Sequence, residues 1–210
     1  MRRNSIIGGL IIAAGLAGLV GAGGIAGGFG VAERAPSAKV ASDFKIDGVH
    51  SSVIFKINHL GTSNFYGRIN MAEGEFTFDP ASPDSASINV TLKTDNIDSG
   101  NAQRDGHLKS PDFFDAKQFP TITFKSTGVK KVGDGYQLTG DLTLHGQTKP
   151  ITAKFVHIGE KDAGAKFGYR SGFEATFTIK RSDFGMKFMA ENGMLGDEVA
   201  VTASLEGVRK

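Results

Sequence analysis

Beyond Asp43 the apolar side chains fall on every second position: Phe44 and Ile46, then Val53, Phe55 and Ile57, then Phe76 and Phe78, then Ile88, Val90 and Leu92, then Ile122 and Phe124. The alternation resumes in Tyr136 and Leu138, Leu142 and Leu144, then Ile151, Ala153 and Phe155, then Phe173 to Ile179, and finally Val199 to Leu205. A period of two predicts strands with one buried face, here eight to ten of them. Turn signals at Asp79-Pro80, Gly133-Asp134-Gly135, His145-Gly146 and Gly159 to Gly164 separate the strands. Connections that short favour antiparallel neighbours over parallel crossovers. The chain therefore reads as all-β. Many one-faced strands make either a sandwich or a barrel, and closure is preferred because it removes exposed edges.

Periodicity leaves the barrel interior open to two readings. The phenylalanines, sixteen in the chain and all but Phe29 beyond Asp43, would fill it, as side chains fill many small barrels; Ala153, Ala175, Ala203 and Gly140, alternating with bulkier residues, would leave a tunnel.

The alternation breaks after Ile97. The stretch Asn101 to Ser126, NAQRDGHLKSPDFFDAKQFPTITFKS, gathers Arg104, Asp105, His107 and Lys109 and then Phe113, Phe114 and Phe119. Ser110-Pro111-Asp112 has the chemistry of a helix start, with a hydroxyl cap, proline at the first helical position and an acid near the N-terminus. Phe119-Pro120 stops it, so one short helical segment is expected within residues 101–119. Gly106 argues against one helix through the whole block. The three phenylalanines would plug or line one end of the barrel.

Composition adds a compartment and removes several functions. Met1 to Ser5 is basic, and Ile6 to Gly30 carries no charged side chain and ten of the 29 glycines. Residues 1–32 read as an export segment cleaved after Ala32, or retained as an N-terminal membrane anchor long enough to cross a bilayer core of roughly 30 Å. Arg2-Arg3 hints weakly at twin-arginine export. Residues 33–42 are a linker with Pro36, and residues 43–210 suit one domain. The expected location is periplasmic or secreted. Arg2 and Arg3 supply the whole net charge of +2, so the remainder is neutral and offers no footprint for nucleic acid. The absence of cysteine removes disulfides, thiolate nucleophiles and thiolate metal ligands.

Several separated stretches together resemble one family. They are IDGVHSSVIFKINHLG from Ile46, RDGHLKSPDFFDAKQFPTITFKS from Arg104, GDLTLHGQTKPI from Gly140, KRSDFGM from Lys180 and GDEVAVTASLE from Gly196. Across nearly all of residues 43–210 the chain is similar to the YceI-like, polyisoprenoid-binding proteins, departing at Phe44, where the family commonly has tryptophan or tyrosine. The resemblance implies an extended, lipocalin-like antiparallel barrel holding a polyisoprenoid or other long-chain lipid in an apolar tunnel. On that reading the tunnel lining comprises Phe55, Ile57, Phe76, Val90, Phe113, Phe114, Phe124, Leu142, Ala153, Phe155, Ala175 and Phe177. Candidates for the ligand's head group are His50, Arg104, His107 and Arg181. Arg104 with Asp105, and Arg181 with Asp183, read more readily as ion pairs that fix loops than as ligand clamps. Family members are sometimes homodimers, although no self-complementary face stands out here.

A metal site is disfavoured, because His50 and His59 stand nine residues apart on one strand, roughly 30 Å, and cannot share an ion. No cofactor is implied beyond the lipid. Catalysis would need a nucleophile beside a base. His50-Ser51 would point to opposite faces of a strand, and Ser110 with His107 lacks a recognisable elbow. The chain is thus expected to be an exported lipid carrier rather than an enzyme. The alternatives are a hydrolase or isomerase acting on a bound lipid, or a stress-related interaction module whose lipid is structural.

Overall fold

The structure, a computed structural model, describes residues 43–210; the expected export segment and linker lie outside the described residues. Eleven strand segments form one sheet. They are β1 (Asp43–Ile46), β2 (Ser52–His59), β3 (Ser63–Ile69), β4 (Glu73–Thr77), β5 (Ser87–Lys93), β6 (Ile97–Asp98), β7 (Thr121–Val132), β8 (Gly135–Leu144), β9 (Gln147–Asp162), β10 (Tyr169–Lys180) and β11 (Leu195–Arg209).

Six of these segments are halves of three broken strands. β2 pairs with β3 while β1 pairs with β4, and β4 then pairs with β5 while β3 pairs with β6. β1 and β2 share the same edge of β11. The segments therefore count as eight walls in an up-and-down antiparallel barrel, the last strand closing on the first. Each break has a local cause. Between β1 and β2, the Ser51 hydroxyl donates to the Asp47 carbonyl and accepts from Glu206 N–H. Between β3 and β4, Met71 takes a left-handed φ of 60°. Between β5 and β6, buried Thr94 donates through its N–H and hydroxyl to the carbonyls of Pro120 and Phe119.

The two ends of the barrel differ. One end carries the turns 78–86, 133–134 and 163–168 and both ends of the described chain, and it is packed solid. Phe44 stacks on Phe76 at 5.1 Å, Phe76 meets Phe173 edge-on at 5.0 Å, and Phe173, Phe155 and Phe78 follow at 5.0 Å steps, with Tyr136 5.1 Å beyond Phe78. Such edge-to-face and offset pairs add to the large area each ring buries. This end is the floor.

The opposite end carries the β2–β3 hairpin, the long β6–β7 connection, the His145-Gly146 turn and the β10–β11 connection, and it is the mouth. Its helix is not where the cap residues Ser110-Pro111 predict it. Helix α1 runs over Ala102–Leu108, capped by the Asn101 side chain accepting from Arg104 N–H, and it contains Gly106. Residues 110–119 form successive turns, broken by Asp115 at φ 43°, and the Ser110 hydroxyl accepts from Asp112 N–H within one of them. Asn101 is as good a cap as serine, and a single exposed glycine costs about 1 kcal/mol, which a short surface helix tolerates. The last turn also shifts: β9 continues through Gly159 to Asp162, and the chain reverses at 163–168.

Candidate functional site

A cavity of about 680 Å³ opens at the mouth and descends to the floor. All eight walls contribute to it, from Val53 and Ile69 round to Phe177 and Val201. Between Leu195 at the mouth and Leu205 at the floor, strand β11 advances ten residues, a depth of roughly 25 Å once strand tilt is allowed for. That volume over that depth makes a passage rather than a chamber.

The passage stays open because of what faces the wall phenylalanines. Phe55 on β2 pairs with Gly67 on β3, and a Cβ on Gly67 would sit 2.3 Å from the Phe55 ring. Phe124 lies over Gly140 in the same way, with its ring 2.3 Å from the absent Cβ. Both rings lie against the wall in the space a side chain would have occupied. Ala153, Ala175 and Ala203 keep the facing walls thin.

Ten of the twelve lining residues expected from the sequence border this cavity: Phe55, Ile57, Val90, Phe113, Phe114, Phe124, Leu142, Ala153, Ala175 and Phe177. Phe76 and Phe155 do not. They point inward as their alternation requires, but at the floor, where they are 2% and 0% exposed within the aromatic chain. Period two assigns a face and says nothing of height along the axis.

The four head-group candidates divide in the same manner. His50 is at the floor end, away from the cavity, where its Nδ1 meets Asp47 Oδ2 at 2.9 Å. Arg170 Nη1 joins the same cluster, donating to Asp47 Oδ2 at 2.7 Å and Glu206 Oε1 at 2.5 Å. Hydrogen bonds from His50 and then Arg170 hold the Asp47 carboxyl down at about 2. Asp47, His50 and Glu206 have the side-chain types of a cation site, but the Arg170 guanidinium already bonds both carboxylates.

Arg104, His107 and Arg181 all border the cavity near the mouth. Arg104 and Asp105 do not form a direct pair; Ser99 joins them. Its hydroxyl accepts from Arg104 Nε at 2.9 Å and donates to Asp105 Oδ1 at 2.5 Å, while Arg104 Nη2 donates to the Ser99 carbonyl at 2.7 Å. The Arg104 guanidinium lies 4.3 Å above the Phe65 ring. His107 Nε2 bonds Asp112 Oδ2 at 2.8 Å, and its ring packs edge-on against Phe113 and Phe188.

Arg181 is 3% exposed, and its partner is not Asp183. Its Nε, Nη1 and Nη2 donate to the carbonyls of Gly196, Met186 and Leu195 at 2.8 to 3.1 Å. It thereby ties both ends of the segment 186–196 over the mouth. Burial pushes its guanidinium below the ordinary arginine value, opposed by Asp197. Asp197 is itself lowered: burial would raise it, and hydrogen bonds from the Ser182 hydroxyl and N–H outweigh that.

The segment that Arg181 ties down is the part of the site that alternation does not reveal. Met186, Phe188, Met189, Met194 and Leu195 all border the cavity, facing His59, Leu60 and Asn64 of the β2–β3 hairpin. Leu60 N–H donates to the Met194 carbonyl at 2.8 Å, joining the two rims. The signal was present in FGMKFMAENGML, which holds three of the chain's five methionines without a strand period. Flexible, polarizable methionines suit a surface that must adapt to what it covers.

The fold and site define a closed antiparallel barrel with a deep apolar cavity, solid at one end and ringed by a few polar groups at the other. More narrowly, the chain belongs to the YceI-like family, whose domain matches residues 44–207. It is 45% identical over 173 residues to a UPF0312 protein of Pseudomonas aeruginosa, covering 81% of this chain and 89% of that one. Among solved structures, the Campylobacter jejuni YCEI protein is similar at 31% identity and a TM-score of 0.65, covering 74% of this chain and 91% of that one. A domain from Saccharophagus degradans, described as polyisoprenoid binding and implicated in plant cell wall breakdown, shares the fold at 13% identity and a TM-score of 0.59, over 80% of this chain and 98% of that one.

Proposed function

We propose that this protein is an exported carrier that sequesters a polyisoprenoid or similar long-chain amphiphile in its barrel, acting in the periplasm or outside the cell after export by residues 1–32. The observation that carries this reading is the 680 Å³ passage itself, lined almost wholly by aliphatic and aromatic side chains. Its volume is within the range of about 300–1,000 Å³ typical of ligand sites. The fold shared with the S. degradans polyisoprenoid binding domain supports the choice of ligand class.

Energetics fit a carrier. Each five-carbon unit withdrawn from water contributes roughly 3 to 4 kcal/mol gross, so a few units suffice, and losses of ligand freedom keep the net far below the sum. Binding without chemistry also fits the mouth. His107 is engaged by Asp112, and the Ser110 hydroxyl is engaged by Asp112 N–H rather than by an imidazole.

The test is solvent extraction of the purified protein followed by mass spectrometry. Recovery of unmodified lipid at about one per chain is the expected result for a single passage. A protein that yields no lipid and takes up none when offered it would overturn the proposal, and turnover of the lipid that His107→Ala abolishes would turn it into an enzyme.

A further inference from the structure

The oxidisable sulfur of this chain is gathered in one place. The chain has neither cysteine nor tryptophan, so the methionine thioethers are its softest groups toward oxidants. Of the four methionines among the described residues, Met186, Met189 and Met194 border the cavity and Met71 does not. They differ in access. Met194 is 41% exposed, Met189 is half-buried with a left-handed φ of 55°, and Met186 is buried. Met71, 49% exposed at the break between β3 and β4, is a thioether of similar exposure away from the passage. Met189 and Met194 lie in a loop closed by Leu195 N–H donating to the Met189 carbonyl at 3.1 Å, and Leu60 N–H fixes that loop to the opposite rim through the Met194 carbonyl. Both bonds use main-chain atoms. What the two side chains give the rim is apolar surface.

Resting on the carrier reading above, we propose that Met189 and Met194 form a peroxide-sensitive site whose oxidation loosens the barrel's hold on its lipid. The thioether sulfur attacks one oxygen of a hydroperoxide. The S–O bond forms as the O–O bond breaks, the sulfur gives up two electrons, and the second oxygen leaves with the proton as water or an alcohol. The product is a sulfoxide, polar where the thioether was apolar. Facing the lipid, its oxygen is buried without a hydrogen-bond donor; turned out to water, it withdraws its apolar surface from the rim. Either way the lipid-bound state is the one that loses. Leucine at the same positions would give the rim similar apolar surface and carry no such response.

Graded hydrogen peroxide, removed with catalase before binding is measured, tests this on the delipidated protein. Peptide mass spectrometry should find sulfoxide at Met194 as early as at Met71, then at Met189, and last at Met186. Affinity for the apolar fluorophore N-phenyl-1-naphthylamine should fall about tenfold as Met189 and Met194 convert, the scale of one polar group left unsatisfied in an apolar site. Each variant is compared with its own untreated form. Met71→Leu should respond as the parent does. The double variant Met189→Leu, Met194→Leu should keep its affinity through the same treatment although Met71 converts, and Met194→Leu alone, a change at an exposed position, should keep part of it. Equal losses in the parent and in both leucine variants, unchanged affinity in protein whose Met189 and Met194 are fully oxidised, or sulfoxide at Met71 with none at Met194 would overturn the oxidation site and leave the carrier reading standing. Untreated protein that takes up neither the fluorophore nor lipid would overturn both.

Discussion

The floor and the wall of this barrel are built from the same residue type with opposite results. At the floor, phenylalanine faces phenylalanine: Phe44, Phe76, Phe173, Phe155 and Phe78 meet at ring separations near 5 Å, and all are 0–2% exposed. Along the wall, phenylalanine lies over glycine: Phe55 covers Gly67 and Phe124 covers Gly140. Phe177, paired across the sheet with Val201, borders the open lumen. A ring opposite another ring fills space, and a ring lying over a glycine leaves it. What makes the barrel hollow is therefore the distribution of small residues, not a scarcity of large ones.

Truncating one ring from each region gives the sharpest contrast. Phe155→Ala removes a fully buried ring that touches Phe78, Tyr136 and Phe173, and it should cost about 3–5 kcal/mol in urea unfolding. Phe177→Ala enlarges a space that already exists and should cost about 1 kcal/mol or less, because little close packing is lost. Equal costs would mean that the lumen is as tightly packed as the floor, and the distinction between them would fail.

Filling the lumen is the converse. Ala153 and Ala175 are 4% and 5% exposed and border the passage. Replacing either by tryptophan should place an indole in space the lipid would occupy, lowering uptake of an apolar fluorophore such as N-phenyl-1-naphthylamine by about tenfold or more, while unfolding moves by no more than the roughly 1–3 kcal/mol typical of overpacking. Normal uptake by both variants would place these walls outside the binding path.

How much of this was legible in the sequence follows from what each signal encodes. Alternation gave the strands, their inward faces and hence eight of the ten lining positions, because the side-chain period of a strand is a local property; Phe113 and Phe114 came instead from the aromatic cluster in the interrupted block. Alternation misplaced Phe76 and Phe155, since height along the axis depends on tilt and register between strands distant in sequence. The resemblance likewise set His50 beside His107 as a head-group candidate, though the two lie at opposite ends. The helix begins after Asn101 rather than at Ser110: the Asn101 side chain caps Arg104 N–H, while residues 110–119 close into local turns with Asp115 at φ 43°. The rim at Met186 to Leu195 escaped notice because its irregular backbone has no period, and only its methionine content set it apart.

The remaining difference between the ends is electrostatic, and it yields the smallest expected effect. The mouth leaves Arg104 and Arg181 without a directly bonded carboxylate, whereas the floor-end cluster matches Arg170 to Asp47 and Glu206 and sets His50 on Asp47. Because the folded-state pKa of Asp47 is depressed to about 2 by His50 and Arg170, the stability it contributes is fully present above the ordinary aspartate value near 4 and is lost as pH falls toward 2. Solvent at the partly exposed cluster reduces that contribution to about 1 kcal/mol. Asp47→Asn should therefore lower stability by about that amount at neutral pH, with the gap to the parent protein closing between about pH 4 and pH 2 in urea titrations. A gap that stays constant down to pH 2 would show that Asp47 acts through the shape of the β1–β2 bend, where its side chain also accepts from Val49 N–H, and that charge matching at the floor contributes nothing the mouth lacks.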